Sequence, residues 1–215
     1  MKIQLLKGQK LFFTSDTHYS QTNICRGVSE WDSNRGVRDF DTLEQMNDTI
    51  VNSINSVVGQ DDILIHLGDW SFGGIEQIGL FRDRIVCKTI HLVLGNHDHH
   101  IKKNKLNVAD KFSSVSKVLD LEVKTHSPHD MFPSLTYKFM LSHFPYASWE
   151  NMNKGVIHLH GHIHLGPEHK LHAGKAMDVG VDGNNYIPYS LGEIVKIMDN
   201  QPIARLTLPV DHHES

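Results

Sequence analysis

Cysteine is scarce in this chain. Cys25 and Cys87 are the only two in 215 residues, too few and too far apart for a disulfide framework or a zinc knuckle, so they read as two reduced thiols. Long apolar runs are also lacking. None approaches the roughly 20 residues that cross a bilayer, and the opening MKIQLLKGQK turns polar again before a signal-peptide core is complete. Charge of one sign is missing as well: the net charge is −4 with histidines neutral. No global basic field therefore points to nucleic acid, although a neutral protein can still bind phosphate locally. Repeats, low-complexity tracts and Pro/Gly/Ser linkers are absent. These absences leave one soluble, cytoplasmic domain spanning residues 1–215 as the expectation. Its polar end, Asp211–Ser215 with His212 and His213, is expected to fray into solvent.

What the chain does have is a globular composition, 39% hydrophobic and 21% charged, enough to bury a core. It also has 17 histidines. Short β-type runs recur at Lys10–Ser15, Ile63–Leu67, Thr89–Leu94, Val118–Val123, Thr136–Ser142, Val156–His160 and Lys175–Asp182. Between the first two, Leu43, Met46, Asn47, Ile50, Ile54 and Val57 recur at three and four, which predicts a helix. Asp41 or Thr42 can cap it, and Thr42 with Gln45 has capping-box spacing. A weaker helix is predicted over 75–85. Alternating strand and helix predicts an α/β fold with parallel pairing in the first half. The second half, richer in strands, predicts a second sheet or antiparallel members. Residues 18–40 and 99–114 read as long loops, a length that is often functional.

Polar residues collect where the predicted strands end. The first is followed by Asp16-Thr17-His18, the second by Gly68-Asp69, the third by Gly95-Asn96-His97-Asp98, and two later ones by His143 and by Gly161-His162-Ile163-His164. Open α/β sheets place their sites past the carboxyl ends of strands. Asp16 and His18 alternate in an extended segment, as do His162 and His164, so each pair can reach one ion. Carboxylate, imidazole and amide oxygen without thiolate suit Mn²⁺, Fe²⁺ or Zn²⁺. A single Asp-x-His means little, but five such elements in order, each ending a strand, are specific.

This ordered set resembles the calcineurin-like metallophosphoesterase superfamily over residues 12 to about 182. SDTHYSQTNI, HLGDWSFGG and LVLGNHDHH most resemble small bacterial and phage phosphoesterases of undefined substrate. Ser20-Gln21 stands where that group usually has Gly-His, and Arg38-Asp39-Phe40 where it has Arg-Pro-Phe. The resemblance implies a four-layer α-β-β-α sandwich, with two mixed sheets flanked by helices, and two adjacent divalent ions. Mn²⁺ is the first expectation; Fe²⁺, Zn²⁺, Ni²⁺ or Co²⁺ would be accepted by the same ligands. One ion would take Asp16, His18, Asp69 and His164, the other Asp69, Asn96, His143 and His162. The implied activity is hydrolysis of phosphomonoesters or phosphodiesters by a two-metal-activated hydroxide, with His97 as general acid and Asp98 orienting His97. A small phosphorylated substrate, a nucleotide or cyclic phosphodiester, is the expected partner, with no membrane. A nuclease on DNA or RNA ends and a non-catalytic scaffold of the same fold are the alternatives. The Asp-Arg-Gly element of protein phosphatases and dinucleoside tetraphosphatases is replaced here by Trp70-Ser71-Phe72-Gly73-Gly74.

Residues outside that set divide into candidates and bystanders. Asn23, Arg26, Arg35 and Arg38 follow the first ligand pair, and Asn23, Arg26 and Arg38 are candidate substrate contacts because arginine pairs with phosphate oxygens. Trp70 either packs in the core or walls the pocket. His99, His100, Lys102 and Lys103 form a small basic patch. His66 and His91 are expected to pack with hydrogen bonds inside strands, and His126, His129, His169 and His172 to be solvated. His158 and His160 share the alternation of His162 and His164 but lie before Gly161. They are expected to pack or to support the site from behind.

Overall fold

The computed structural model describes residues 1–31, 36–104, 108, 110–126, 134–166, 168–169, 171 and 173–204. Arg35, His129, His172 and the segment 205–215, and with them the expected fraying of the C-terminus, lie outside the described residues.

Among the described residues, ten strands form two five-stranded sheets. The first sheet has the order β10-β2-β3-β4-β5, from β2 (Leu11–Thr14), β3 (Ile63–His66), β4 (Thr89–Val93), β5 (Ser114–Ser116) and β10 (Tyr189–Ser190). The strands β2 to β5 run parallel, with Phe13 beside Ile65 and Ile65 beside His91, and β10 closes the edge antiparallel to β2. The second sheet has the order β1-β6-β7-β8-β9, from β1 (Lys2–Gln4), β6 (Val118–Lys124), β7 (Thr136–Ser142), β8 (Ile157–His160) and β9 (Ala176–Asp178). Here β6 and β7 are antiparallel and the remaining pairs are parallel. The expected mixed α/β sandwich of two sheets with helices is what the chain forms.

The reason is the alternation along the strands. Phe13, Ile65 and Val93 from one sheet and Leu141, Leu159 and Met177 from the other are buried in one cluster between the sheets. The opposite side of the first sheet, through Phe12, Leu64, Ile90 and Leu92, packs against α1 (Leu43–Val57), α2 (Gly74–Arg84) and α3 (His99–Lys103). Met46, Ile50, Val51 and Ile54 are the buried stripe of α1, and the Thr42–Gln45 capping box is present at its start. A fourth helix, α4 (Leu191–Asp199), is capped by a Ser190–Glu193 box and sets Leu191, Ile194 and Met198 into the inter-sheet cluster. On the far side of the second sheet, Trp149 and Met152 pack with Ala176, Met140 and Val156.

The strands β2, β3 and β4, and likewise β7, β8 and β9, are parallel within their sheets, so each group points its carboxyl ends in one direction. Direct bonds then join the two groups. The backbone of Ser15 forms a parallel bridge with Gly180, and the His143 Nδ1–H donates to the Leu67 carbonyl at 2.8 Å. The site is built at this seam. No described helix is long and apolar enough to cross a membrane.

Candidate metal centre

Three of the expected ligand-bearing turns, those of Asp16 and His18, of Asp69, and of His162 and His164, hold backbone outside the ordinary conformations. Asp16, His18, Asp69, His162 and His164 all have positive φ, between 48° and 75°. For residues with a Cβ this left-handed geometry is uncommon, and it persists only where the surroundings impose it, typically at functional sites. The glycines explain how the turns fit. A Cβ on Gly161 would run into Ser15 Oγ and Asp16 Oδ2, and one on Gly95 would strike the Asp69 carboxylate. Both turns can close on the carboxylates only because no side chain intervenes.

The side chains converge as follows. His18 Nε2 lies 3.7 Å from Asp16 Oδ1, 3.7 Å from Asp69 Oδ2 and 3.2 Å from His164 Nε2. Asp69 Oδ2 is 3.4 Å from His143 Nε2, which in turn is 2.8 Å from Asn96 Oδ1. His164 Nε2 is 3.7 Å from Asp16 Oδ1. Two groups result, Asp16–His18–His164 and Asp16–Asp69–His143, with the donor atoms of each within 4.8 Å of one another. The His162 ring stands 5.1 Å from that of His143, and its own N–H donates to Asp16 Oδ2 at 2.9 Å. All seven expected ligands thus meet in one place.

The chemistry of this donor set fits divalent cations. Asp16 is fully buried, and its Oδ1 has no hydrogen-bond partner among the described residues. A buried, unsatisfied carboxylate oxygen is costly unless a cation or donor completes it. Burial alone would push the Asp16 carboxyl up, but His18, His164 and His143 around it hold it far below the ordinary carboxylate range. Burial lowers His18, and burial with the neighbouring His143 lowers His162, a direction that favours the neutral ring a metal requires. Burial also disfavours a charged His164, yet its bond to Asp182 and the nearby Asp16 outweigh that and raise it.

His97 sits at the rim. Its side chain is 42% exposed, its Nε2 is 4.0 Å from Asp69 Oδ2, and its backbone N–H donates to Asp69 Oδ1 at 2.8 Å. Asp98 differs from expectation. Rather than orienting His97, its carboxylate accepts from the backbone N–H groups of Gly95 (2.8 Å), Asp69 (2.9 Å) and Trp70 (2.9 Å). Asp98 is buried and ties the third ligand turn to the second. Adjacency in sequence points successive side chains apart, which is why the residue after His97 serves the turn instead of the ring.

The three expected substrate contacts are all engaged by groups of the protein itself. Arg38 is 4% exposed, and its guanidinium is bonded to Asp182 and to the carbonyls of Asp16 and Thr17. Arg26 is paired with Asp39 and Asp41. The Asn23 side chain accepts from the Glu30 N–H at 3.2 Å, fixing its own loop. The stretches read as loops contain short 3₁₀ turns at Thr22–Ile24 and Arg26–Val28, as well as α3.

Trp70 is fully buried against Phe81 (4.4 Å between ring centroids) and Phe112 (5.0 Å), a core residue. His99, His100, Lys102 and Lys103 are exposed on α3, and His126 and His169 are exposed as expected. His91 bonds Ser114 Oγ at 2.8 Å. His158 is fully buried; its Nε2 accepts from the Tyr146 N–H (3.1 Å) and its Nδ1 lies 3.0 Å from the Met140 carbonyl. His160 Nδ1 lies 3.1 Å from the Gly161 carbonyl, so it braces the turn that carries His162 and His164. Asparagine cannot span both partners of His158. His158→Asn should therefore lower stability by about 2 kcal/mol, the cost of stranding one buried polar group. The folded variant should keep its metal content, as urea titration and metal analysis would check.

Two acidic residues escaped the sequence reading. Asp178, at the end of β9, accepts from Gly180 N (2.6 Å) and Leu165 N (3.3 Å). Burial, reinforced by Asp16, pushes its carboxyl up to about 7. Asp182 meets His164 and Arg38. The segment 175–182 alternates like a strand, but the strand stops at Asp178 and a 3₁₀ turn, Val181–Asn184, carries Asp182 back to the site.

Comparison with known proteins accords with this geometry. A model of the calcineurin-like phosphoesterase family matches residues 9–190. The chain belongs to the calcineurin-like phosphoesterase family. Among the relatives of this family member is the uncharacterized protein MJ1445 of Methanocaldococcus jannaschii, 28% identical over 206 residues, covering 92% of this chain and 96% of the other. The Gene 66 protein of Mycobacterium phage L5 is 28% identical over 170 residues, covering 71% and 76%. A crystal structure of the protein of unknown function AQ665 from Aquifex aeolicus shares the fold. It has a TM-score of 0.62 and 22% identity, covering 88% of this chain and all of that one.

Proposed function

We propose that the chain is a metal-dependent hydrolase of phosphomonoesters or phosphodiesters that acts on small nucleotides or cyclic phosphodiesters with two Mn²⁺ ions. The observation that carries this reading is two adjacent clusters of metal-type donors, with Asp69 Oδ2 between His18 (3.7 Å) and His143 (3.4 Å) and His97 exposed at the rim. Asp16, His18, Asp69 and His164 would hold one ion and Asp69, Asn96, His143 and His162 the other. When bound, such ions neutralise phosphoryl oxygens and make water more acidic. The protein's own groups do the rest. The buried carboxylates supply negative charge that fixes the cations, and Asp98 and Gly95 hold the Asp69 and His97 turns in register. His97 Nε2 is placed to give a proton to the leaving oxygen, because its ring is exposed and its backbone is anchored.

Ring faces beside the centre support a flat leaving group. Phe72 packs on His97 (4.8 Å) and His18 (5.6 Å), while Phe144, 46% exposed, packs on His162 (4.6 Å) and His143 (5.0 Å). A nucleobase can stack on such rings.

The test is hydrolysis of nitrophenyl phosphate and bis-nitrophenyl phosphate with Mn²⁺, before and after His97→Ala. Loss of a positioned acid should lower kcat by about 10² to 10⁴ while the bound metal stays unchanged. Failure to turn over any nitrophenyl or nucleotide substrate, with no metal retained on purification, would remove the enzyme reading.

A further inference from the structure

One buried guanidinium gathers four separate segments around the ligand cluster. Arg38 reaches from the loop that pairs with Cys25. Its Nη1 donates to the Thr17 carbonyl (2.8 Å) and its Nη2 to the Asp16 carbonyl (2.6 Å), just past β2. The Nε and Nη2 groups also grip Asp182 in a two-point fork, at 2.7 and 2.9 Å, from the turn after β9. The Tyr186 ring lies under the guanidinium, 5.6 Å from centroid to Cζ. Asp182 Oδ2 in turn lies 2.7 Å from His164 Nδ1, beyond β8.

The direction of these bonds matters. A carboxylate between two arginine donors can only accept, so the hydrogen of His164 is held on Nδ1. The Nε2 lone pair is then aimed at Asp16 Oδ1 (3.7 Å) and His18 Nε2 (3.2 Å). The same guanidinium fixes the backbone of Asp16, whose φ is 55°, and of Thr17 between the two ligands. Lysine could not do this, because four of the contacts need a planar fork.

We infer that Arg38 and Asp182 form a positioning pair that sets the tautomer of His164 and the backbone of the Asp16–His18 turn, and so fixes the affinity of the ion held by Asp16, His18 and His164. The pair touches no substrate. It rests on the metal-dependent reading above and assigns that site a support which ligand motifs do not include.

Mn²⁺ binding to the whole protein, followed by calorimetry and paramagnetic resonance, tests the pair in Asp182→Asn and Arg38→Lys. Loss of a buried partner behind a histidine ligand typically weakens the ion by about 10- to 100-fold. One of the two Mn²⁺ ions should weaken by that factor in each variant and the other by less than about threefold. Activity at low Mn²⁺ should fall in parallel and recover at high Mn²⁺. Both ions binding with wild-type affinity in folded variants would overturn the pair alone. A wild-type protein that binds no Mn²⁺ would overturn the metal reading itself. Should either variant fail to fold, imidazole ¹⁵N NMR of the Zn²⁺-loaded wild type decides. Protonated Nδ1 with ligated Nε2 on His164 supports the pair, and ligation through Nδ1 overturns it.

Discussion

Replacement of Asp69 by asparagine is expected to lower Mn²⁺-dependent phosphoester hydrolysis by about 10³-fold or more, on the basis that a metal centre supplies several kcal/mol and each 1.36 kcal/mol is a factor of ten. Asp69 occupies the middle of the cluster, with Oδ2 3.4 Å from His143 Nε2 and 3.7 Å from His18 Nε2. Asparagine would retain an oxygen to accept the His97 N–H, as Oδ1 does now at 2.8 Å. On its other side it would place N–H donors against the imidazoles where a cation needs a negative oxygen. Asp98 would still hold the backbone of residue 69. The variant should thus fold while losing both metal and rate, which circular dichroism, metal analysis and kcat/KM together would show. Retention of more than about a tenth of the wild-type rate at saturating Mn²⁺, a loss under 1.4 kcal/mol, would remove Asp69 from the centre.

The second large effect is on stability against pH, and it comes from His66. This ring is fully buried at the end of β3. Its Nδ1 accepts from the Gly68 N–H at 3.2 Å, so its Nε2 carries the hydrogen and donates to Thr17 Oγ1 at 2.9 Å. The Thr17 hydroxyl passes its own hydrogen to the Trp70 carbonyl at 2.7 Å. A second proton would sit on Nδ1, head-on to the Gly68 N–H. Burial, only partly offset by Asp16, accordingly lowers His66 from 6.5 to about 3.

The unfolded chain takes up this proton near pH 6.5 and the folded chain only near 3. Between those values the unfolded state binds one more proton, so stability rises with pH, by about 1.4 kcal/mol per unit. The contribution is complete above 6.5, and about 5 kcal/mol of it is gone by pH 3. Urea unfolding in the presence of chelator should show this slope. In His66→Gln it should be shallower by about 1.4 kcal/mol per unit over the same window. An unchanged slope, or a His66 ring that titrates near 6 by NMR, would contradict the assignment.

How much of this was legible beforehand depended on whether local pattern or distant contact sets the feature. The α1 helix announced itself because its buried stripe and its cap are both written within fifteen residues. The α4 helix carries the same kind of local signal, a Ser190–Glu193 box and Leu191, Ile194 and Met198 at helical spacing. The strands β1 and β10 have only three and two residues and exist through their neighbours, β6 and β2. Such short pieces have no period of their own to read.

The sequence by itself determined the candidate ligand turns. Their residue types, their order and their place after β strands are local properties, and they carried the family resemblance and the metal chemistry. It also divided the histidine stripe at Gly161, where the backbone leaves the strand and turns onto Asp16. Only the tertiary structure decided which buried charges serve those ligands. Arg38 and Asp182 are 144 residues apart, and Asp98 supports the Asp69 turn instead of the ring beside it. Hydrogen bonds and ion pairs between distant segments leave no periodicity in the chain, because they depend on where two sheets meet at their carboxyl ends.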